Sequence, residues 1–246
     1  MNEFDKAQLL LHGFKGDTYL FGASVLPDVG KIVAHTGNKT ALIRSTFKGS
    51  DSFVDIIKDS LRDSGVELVA EIKGARPNCP REDLFRITEE LKAAAPEVLI
   101  SFGGGSTIDA AKAAEVLAVL GGEIDDYFGT GLVTDTMKDR DKTLVPHVAI
   151  QTAAGSAAHL TKYSNVTDIS TGQKKLIVDD VIVPDRPVFD YEVTYNAPEN
   201  LTLDGAFDGV SHSLEVLYGA VGKPVYNKSK RLPALAFLLW SSTCHV

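Results

Sequence analysis

The sequence predicts an α/β protein, a parallel sheet flanked by helices, with a helical region towards its C-terminal end. Apolar strand-like runs alternate with helical patterns over residues 41–120, and the connections between them are short. This alternation is typical of parallel sheets with right-handed crossovers. From Asn200 onward the pattern becomes helical. Because ligands of such sheets bind at the carboxyl ends of the strands, we expect the functional site there.

The composition is that of an ordinary globular protein. The chain has 246 residues, of which 44% are hydrophobic, so it is long enough for one large or two modest domains. Its net charge of -8 argues against a general nucleic-acid binder. The first residues lack a secretory signal, no apolar run has transmembrane length, and Cys79 and Cys244 form no C-x-x-C pair. These features predict a cytoplasmic protein that binds neither nucleic acid nor membrane.

The first half of the chain is predicted to alternate strands and helices. Strands are predicted at residues 17–25, 41–43, 66–72 and 98–102. Helices are predicted at residues 26–34, from Ser50 or Asp51 as the cap to Gly65, from Pro80 to before Pro96, and at residues 110–120. The apolar face of the second helix is expected to contain Phe53, Ile56, Ile57 and Leu61, and that of the third Leu84, Ile87 and Leu91.

A glycine turn joins the fourth strand to its helix. Gly103, Gly104 and Gly105 have no Cβ, so they permit positive φ and close approach of a ligand to the main chain. Ser106 is expected to cap the helix, with Asp109 reaching back in a capping box. Free amides at the positive end of a helix dipole suit a phosphate. The turn is neither a P-loop nor a clean G-x-G-x-x-G fingerprint.

The second half contains a further run of small residues and a helix with two candidate metal ligands. Predicted in order are a surface loop at 134–142, a strand at 143–150, the small-residue run at 151–161, a strand or hairpin at 174–183, a proline-marked linker at 184–198 and a helix at 201–218. Asp208 and His212 are four residues apart and share one face of that helix. They could ligate one divalent cation or be a simple hydrogen-bonded pair, and two ligands alone do not make a metal site.

Three segments taken in order resemble one family. Residues 101–109, 152–161 and 207–215 together resemble the iron-containing (group III) alcohol dehydrogenases, and the resemblance extends from about residue 19 to 226. It implies a Rossmann-like dinucleotide-binding domain, a helical second domain in a dehydroquinate synthase-like architecture, and Fe²⁺ or Zn²⁺ in the cleft between them. We assign the first domain to residues 1–195 and the second, partial one to residues 196–246.

The resemblance also implies an activity and roles for individual residues. The activity is hydride transfer between NAD or NADP and a small alcohol, polyol or aldehyde. The implied roles are pyrophosphate binding by Gly103, Gly104, Gly105 and Ser106, bracing of the turn by Asp109, nucleotide contact by Thr152 and Ser156, and metal ligation by Asp208 and His212.

The chain departs from the family at its end. Family members are longer and bring two further histidine ligands, whereas His245 is too close to His212 to match either. The uncharged run 232–244 lacks an amphipathic pattern. We therefore expect a C-terminally truncated chain, or alternatively a tail buried in a subunit interface of a homo-oligomer.

Two further departures concern the cofactor. The family often has an acidic residue after the second strand, where this chain has Arg44 to Lys48, so an NADP preference is possible. Ala157, Ala158 and His159 replace the more usual Gly-Ser-Glu. Two alternatives to the dehydrogenase stay open, namely a catalytically impaired nucleotide-binding remnant and a metal-independent enzyme resembling maleylacetate reductase.

Overall fold

The fold is an α/β fold, as the sequence predicts. A computed structural model describes residues 3–220. The helices are α1 Glu3–Lys15, α2 Val29–Ala34, α3 Ser50–Asp63, α4 Arg81–Ala94, α5 Gly105–Leu120, α6 Leu132–Arg140 and α7 Glu199–Ala220. The strands are β1 Leu20–Gly22, β2 Lys39–Arg44, β3 Glu67–Lys73, β4 Val98–Gly103, β5 Gly129–Thr130, β6 His147–Gln151, β7 Tyr163–Asp168, β8 Gln173–Val178 and β9 Arg186–Asp190.

The central sheet has six strands in the order β1-β9-β6-β4-β2-β3. Every neighbouring pair in it is parallel. The carboxyl ends of all six strands therefore meet at one edge, where the glycine turn follows β4. Strand β4 lies between β2 and β6, so the turn is at the middle of that edge. This is the position at which parallel sheets bind ligands.

The core consists of two layers, one on each face of the sheet. Along β2, Ala41 and Ile43 belong to one buried cluster, and Leu42 belongs to the other. This alternation follows from the two-residue period of a strand. Helices α4 and α5 contribute to the first cluster, and α2 and α3 contribute to the second. The sheet is thus covered on both faces, as parallel sheets require.

Helix α5 is the most deeply buried helix in the described part of the chain. It packs against α4, β4, β7 and α6. Its alanines at 110, 111, 113 and 114 are all fully buried, and small side chains let these neighbours approach on every side. The same helix buries Lys112 and Glu115, which are 1% and 3% exposed.

A smaller sheet flanks α5. Its order is β5-β8-β7, with β7 and β8 antiparallel. The predicted strand or hairpin at 174–183 is confirmed as β8, but its partner β7 was not predicted. The hydroxyl of Ser164 in β7 donates to the Asp109 carbonyl at 2.8 Å, which ties the small sheet to α5.

Two predictions on the second half of the chain are wrong. Residues 134–142 are not a loop, because α6 covers most of them with Val133 as its fully buried residue. A helix with one buried apolar position has too little periodicity to show in the sequence. The predicted linker contains β9, in which Pro187 pairs with β6 while β1 joins only from Val188. One side of the strand is open at Pro187, where a residue without an amide N–H is tolerated.

Smaller corrections concern the first half. Gly49, at φ 86°, precedes α3, and neither Ser50 nor Asp51 caps it. The buried face of α3 contains Val54 rather than Ile56, which is 39% exposed. Residues 16–18 form a 3₁₀ turn, so the predicted strand at 17–25 is only Leu20–Gly22. The predicted inner face of α4 is confirmed, since its three leucine and isoleucine positions are buried.

Within residues 3–220, no helix has the length and hydropathy needed to cross a bilayer. The predictions made for residues 232–244 and for His245 lie outside the described residues.

Candidate functional site

The glycine turn connects β4 to α5 without left-handed backbone. Gly104 is the N-cap, at φ -76° and ψ -175°, and no side chain caps the helix. None of Gly103, Gly104 and Gly105 has a positive φ. The positive φ that glycine permits is therefore not used here, and the prediction that Ser106 caps the helix is wrong.

The glycines serve packing and access instead. A Cβ on Gly103 would lie 2.5 Å from Thr107 Cβ and closer still to Ser45 Oγ. The hydroxyls of Ser45 and Thr107 are 2.8 Å apart, so this pair joins the end of β2 to α5 directly over Gly103. A Cβ on Gly105 would lie 3.1 Å from Ser156 Oγ, whereas one on Gly104 would meet only Ala153 Cβ, at 3.7 Å. Gly104 is thus the position where the main chain is open.

The turn is accessible from outside. Gly104, Gly105 and Ser106 are partly exposed, whereas Gly103 is buried. The first amides of an α-helix have no acceptor within the helix, and the helix dipole adds positive potential at that end. The geometry therefore suits an anionic group such as a phosphate.

Ser106 and Asp109 hold neighbouring segments rather than the helix end. The Asn78 amide donates to Ser106 Oγ at 2.9 Å, which fixes the loop before α4. Asp109 Oδ2 accepts from the Asn165 amide and from Asn165 Nδ2, at 3.1 and 3.2 Å. Burial raises the pKa of Asp109, and the nearby Lys112 charge and the Asn165 hydrogen bonds oppose that rise. The predicted capping box is wrong, and Asp109 joins α5 to β7.

The small-residue run after β6 lies directly against the glycine turn. The Thr152 amide donates to the Gly103 carbonyl at 3.0 Å. Gln151, 1% exposed, donates from Nε2 to the Ala153 carbonyl at 2.5 Å and to Ser156 Oγ at 3.1 Å. Thr152 is half-buried and Ser156 is exposed. The two segments that the sequence predicts to contact the nucleotide are therefore adjacent.

Helix α7 contacts the other side of this run through glycine. Gly155 has φ +104°, and a Cβ there would lie 2.9 Å from Gly205 Cα and 3.2 Å from Asp208 Oδ2. A Cβ on Gly205 would in turn lie 2.7 Å from the Ala154 carbonyl oxygen. This close backbone contact places Asp208 beside the run. The predicted metal-ligand pair is thereby brought to the carboxyl edge of the sheet.

The Asp208 and His212 pair provides two of the donors that a metal needs. Asp208 Oδ2 and His212 Nδ1 are 3.6 Å apart, and the side chains are 48% and 59% exposed. Among residues 3–220, no cluster of three or more histidine, cysteine, aspartate or glutamate side chains could hold a metal ion. Catalytic zinc sites use three protein ligands and an open position. The described residues therefore do not complete a metal site.

The corner after β2 bears on cofactor choice. Arg44 is 8% exposed, and its guanidinium contacts Asp51 and lies 3.3 Å from Glu71 Oε1. Lys58 also pairs with Glu71. Arg44 is therefore committed to two carboxylates, whereas Lys48 in the same turn is exposed. Of the two basic residues at 44–48, this pairing neutralises Arg44 and leaves Lys48.

Two residues beside the site were not assigned a role from the sequence. Lys112 Nζ donates to the carbonyls of Ala158 and Thr161 at 2.7 Å and of Tyr163 at 2.9 Å. His159 is 3% exposed, with Nε2 3.1 Å from the Tyr19 hydroxyl. The sequence held one signal, a lysine among alanines three residues after Asp109, which indicates a buried charge with nearby acceptors.

The fold and the glycine turn are those of Rossmann-like α/β proteins of the NAD-binding class. Comparison with known proteins then identifies the family. The profile described as iron-containing alcohol dehydrogenase matches residues 17–191. The chain belongs to the iron-containing alcohol dehydrogenase family, as the sequence resemblance indicated.

The chain matches only part of the length of each relative. The chain is 30% identical over 207 residues to an NAD-dependent methanol dehydrogenase of Bacillus methanolicus, which covers 84% of this chain and 52% of the relative. It is 32% identical over 171 residues to a sulfoacetaldehyde reductase of Bilophila wadsworthia, covering 69% and 42%. The chain thus spans about half the length of these relatives.

A solved structure agrees on the fold. The NADH-dependent butanol dehydrogenase A of Thermotoga maritima superposes with a TM-score of 0.75 at 25% identity, covering 92% of this chain and 60% of that one. The prediction of an α/β, Rossmann-like fold is confirmed.

Proposed function

We propose that the chain is the dinucleotide-binding part of an NAD(P)-dependent, metal-dependent alcohol dehydrogenase or aldehyde reductase. One observation carries the proposal: the open first turn of α5, the 152–156 run and the Asp208 and His212 pair all meet at the carboxyl edge of the sheet. The relatives' names support it, since they include a methanol dehydrogenase and a sulfoacetaldehyde reductase. A small alcohol or aldehyde is the proposed substrate class.

In this proposal the pyrophosphate binds over Gly104, where the main chain is open. The amides at the start of α5, from Gly105 and Ser106, are the proposed donors. Gly103 acts by letting Ser45 and Thr107 close over the turn. The nicotinamide supplies the hydride chemistry when bound, and the protein orients it and excludes water.

Thr152 and Ser156 have the supporting role. The main-chain amide of Thr152 donates a hydrogen bond to the Gly103 carbonyl, so Thr152 lies close to the turn. Ser156 accepts from Gln151 Nε2, which fixes its position without shielding it from solvent. We propose that these hydroxyls contact the nucleotide. Asp109 braces the turn indirectly, through Asn165.

We propose that Asp208 and His212 are two ligands of an Fe²⁺ or Zn²⁺ ion whose remaining ligands lie outside residues 3–220. A carboxylate and an imidazole are suitable donors for either ion. Their mutual contact at 3.6 Å and their exposure are consistent with a pair that reorients on binding. Because the described donor set is incomplete, no catalytic step is assigned to the metal. The proposed domain division is residues 1–195 and 196–246.

We propose that the chain accepts NAD at least as well as NADP. Arg44, which would be the natural partner of a 2′-phosphate, is buried against Asp51 and Glu71. An additional phosphate at this corner would meet Lys48 but also the carboxylate of Asp51, which is 82% exposed. The prediction from sequence of a possible NADP preference is therefore replaced by a proposal of dual or NAD preference.

Nucleotide binding and turnover test the proposal separately. Calorimetry with NAD⁺ and NADP⁺ measures binding, and absorbance at the reduced-nicotinamide band measures hydride transfer with short-chain alcohols and aldehydes, with Fe²⁺ or Zn²⁺ added. We expect nucleotide binding in the full chain. The absence of binding by either nucleotide would exclude the assignment.

A nucleotide-binding protein without catalysis is the second candidate. The observation that favours it is the two-donor set among the described residues. It predicts nucleotide binding with no metal binding and no turnover. A metal-independent reductase, the third alternative, predicts turnover that a chelator leaves unchanged, whereas the metal-dependent enzyme loses its activity to the chelator.

A further inference from the structure

Lys112 is a buried cation that holds the end of the small-residue run. Its side chain is 1% exposed and donates to three main-chain carbonyls, those of Ala158, Thr161 and Tyr163. An ammonium has three N–H donors, so all of them are used. Each of the three hydrogen bonds ends on a main-chain oxygen. Its ligands are therefore neutral carbonyls.

The carbonyls belong to the segment that leaves the candidate cofactor site. Ala158 lies two residues after Ser156, and Tyr163 begins β7. One helical turn earlier on α5, Asp109 binds Asn165 of the same strand. The residues Asp109 and Lys112 form one face of α5, since they are three apart. This face holds both ends of the segment from the run to β7.

Burying a lysine charge is costly, so packing alone does not account for Lys112. A methionine of similar size would fill the same space without that cost. The favourable part is the set of three charge-assisted hydrogen bonds, which fix three carbonyls at once. Helix α5 carries the glycine turn at its first residue, so Lys112 fixes the run relative to that turn.

We propose that Lys112 is a positioning residue for the dinucleotide, whose charged side chain holds the end of the 151–161 run against helix α5 and its glycine turn. This proposal rests on the proposed function, because it assumes that the turn and the run bind the nucleotide. Lys112 itself contacts neither the turn nor the exposed surface.

The proposal has a pH signature. Burial lowers the pKa of Lys112 to about 8, with the Asp109 charge opposing the shift and Lys15 adding to it. Above that pH the side chain is an amine with two N–H donors for three carbonyls. The other titratable groups close to it are His147 of β6 and His159, whose pKa values burial lowers to about 3, so both are neutral throughout this range.

The experiment measures the Kd of NAD⁺ by calorimetry from pH 6.5 to 9.5 at a temperature well below the melting point. We expect the wild-type Kd to rise about tenfold across pH 8, which corresponds to about 1.4 kcal/mol. Lys112→Met is expected to bind about tenfold more weakly at pH 7 and to show no rise around pH 8. Lys112→Arg keeps the charge at all these pH values, so we expect affinity restored towards wild type and a flat profile.

The matched control is Lys92→Met, which removes an exposed lysine paired with Glu89 on α4. It should keep both the affinity and the pH profile of wild type. A wild-type Kd that is constant from pH 6.5 to 9.5 overturns the proposal even if Lys112→Met fails to fold. Equal affinity of Lys112→Met and wild type at pH 7 overturns it as well. If the wild type binds neither NAD⁺ nor NADP⁺ at any pH, the proposed function fails and this inference fails with it.

Discussion

Helices α5 and α7 both contribute to the carboxyl edge, but in opposite ways. The side chains of α5 are buried on nearly every side, and its polar residues Asp109 and Lys112 each have fixed partners. On α7 the apolar residues Leu203, Phe207, Val210 and Leu214 are exposed, and Asp208 and His212 contact each other. The first helix has an open first turn with main-chain amides, whereas the second carries two candidate metal donors without a third among the described residues.

The difference implies that one chain segment can form a phosphate site by itself but cannot form a metal site. A phosphate site needs main-chain amides at one helix end, and these are supplied as soon as β4 and α5 form. A metal site needs side chains from several elements. Substitutions in the glycine turn should therefore weaken nucleotide binding, and at the packed Gly103 also stability, whereas substitutions of the α7 pair should affect neither. The predictions below test this contrast, beginning with the largest effect.

Gly103→Ala should give the largest loss. Its Cβ would lie 2.5 Å from Thr107 Cβ and closer to Ser45 Oγ, in a buried position, so these side chains would have to move. Overpacking of this kind costs about 3 kcal/mol at its upper range. We expect urea unfolding to show that decrease in the free energy of unfolding, together with loss of nucleotide binding.

Gly104→Ala is the matched control, since its Cβ would meet only Ala153 Cβ at 3.7 Å and its φ of -76° suits alanine. It should keep the stability of wild type. Its new methyl group would occupy space in front of the amides, so we expect NAD⁺ to bind about tenfold more weakly, a change of about 1.4 kcal/mol. Unchanged NAD⁺ binding by Gly104→Ala would contradict the proposed phosphate position.

Gly155→Ala should break the contact between the run and α7. A Cβ there would lie 2.9 Å from Gly205 Cα, and φ +104° is a conformation that alanine rarely adopts. Backbone strain of this kind costs roughly 1–3 kcal/mol. We expect a loss of about 2 kcal/mol in urea unfolding, in the middle of that range. Gly172→Ala is the control, because it has φ +69° in open space and so carries the strain without the contact. Equal losses in both variants would show that the α7 contact adds nothing.

Acid should remove the stability that two buried histidines contribute in segments packed against α5. His147 and His159 are both 3% exposed, and burial lowers their pKa values to about 3, against about 6.5 for an unfolded chain. Between these values the unfolded state binds more protons than the folded state, so stability falls as the pH drops below 6.5. The two histidines together should cost roughly 2 kcal/mol per pH unit in this window.

Urea unfolding at pH 6.5 and 5.5 measures this effect. The variant His159→Gln should lose about half of the pH dependence, whereas His212→Gln, exposed on α7, should keep all of it. A pH dependence unchanged in His159→Gln would show that this histidine does not contribute.

The sequence predicted these two helices far better than the segments between them. Helix α5 and strand β4 carry long apolar runs, and Asp208 and His212 show the four-residue spacing of one helix face. Helix α6 has one buried apolar residue, Val133, and β9 contains Pro187, so local pattern favours a loop and a linker. Both form through contacts with other elements: Val133 of α6 is buried, and β9 pairs with β6. A local sequence pattern does not contain such tertiary contacts.

The sequence predicted the parts of the site that are continuous in the chain and missed the contacts between distant residues. The glycine turn and the small-residue run are continuous in sequence, so their residues could be named. The partners of Ser106 and Asp109 are Asn78 and Asn165, which lie 28 and 56 residues away along the chain. A capping box was the local alternative for these two side chains, and hydrogen bonds from distant N–H donors replaced it.

Asp208→Asn should have the smallest effect on stability. Its ion pair with His212 is about half exposed on both sides, and such pairs contribute less than about 0.5 kcal/mol. We expect urea unfolding and NAD⁺ affinity to match the wild type within error. The variant should nevertheless abolish any binding of Zn²⁺ that calorimetry detects in the full chain, because asparagine supplies a much weaker donor than a carboxylate. A loss of more than 1 kcal/mol in the free energy of unfolding, on the order of a broken buried pair, would show that α7 is held by this pair. The helix would then be a structural element of the nucleotide-binding region and not, as proposed, the first part of a separate helical domain.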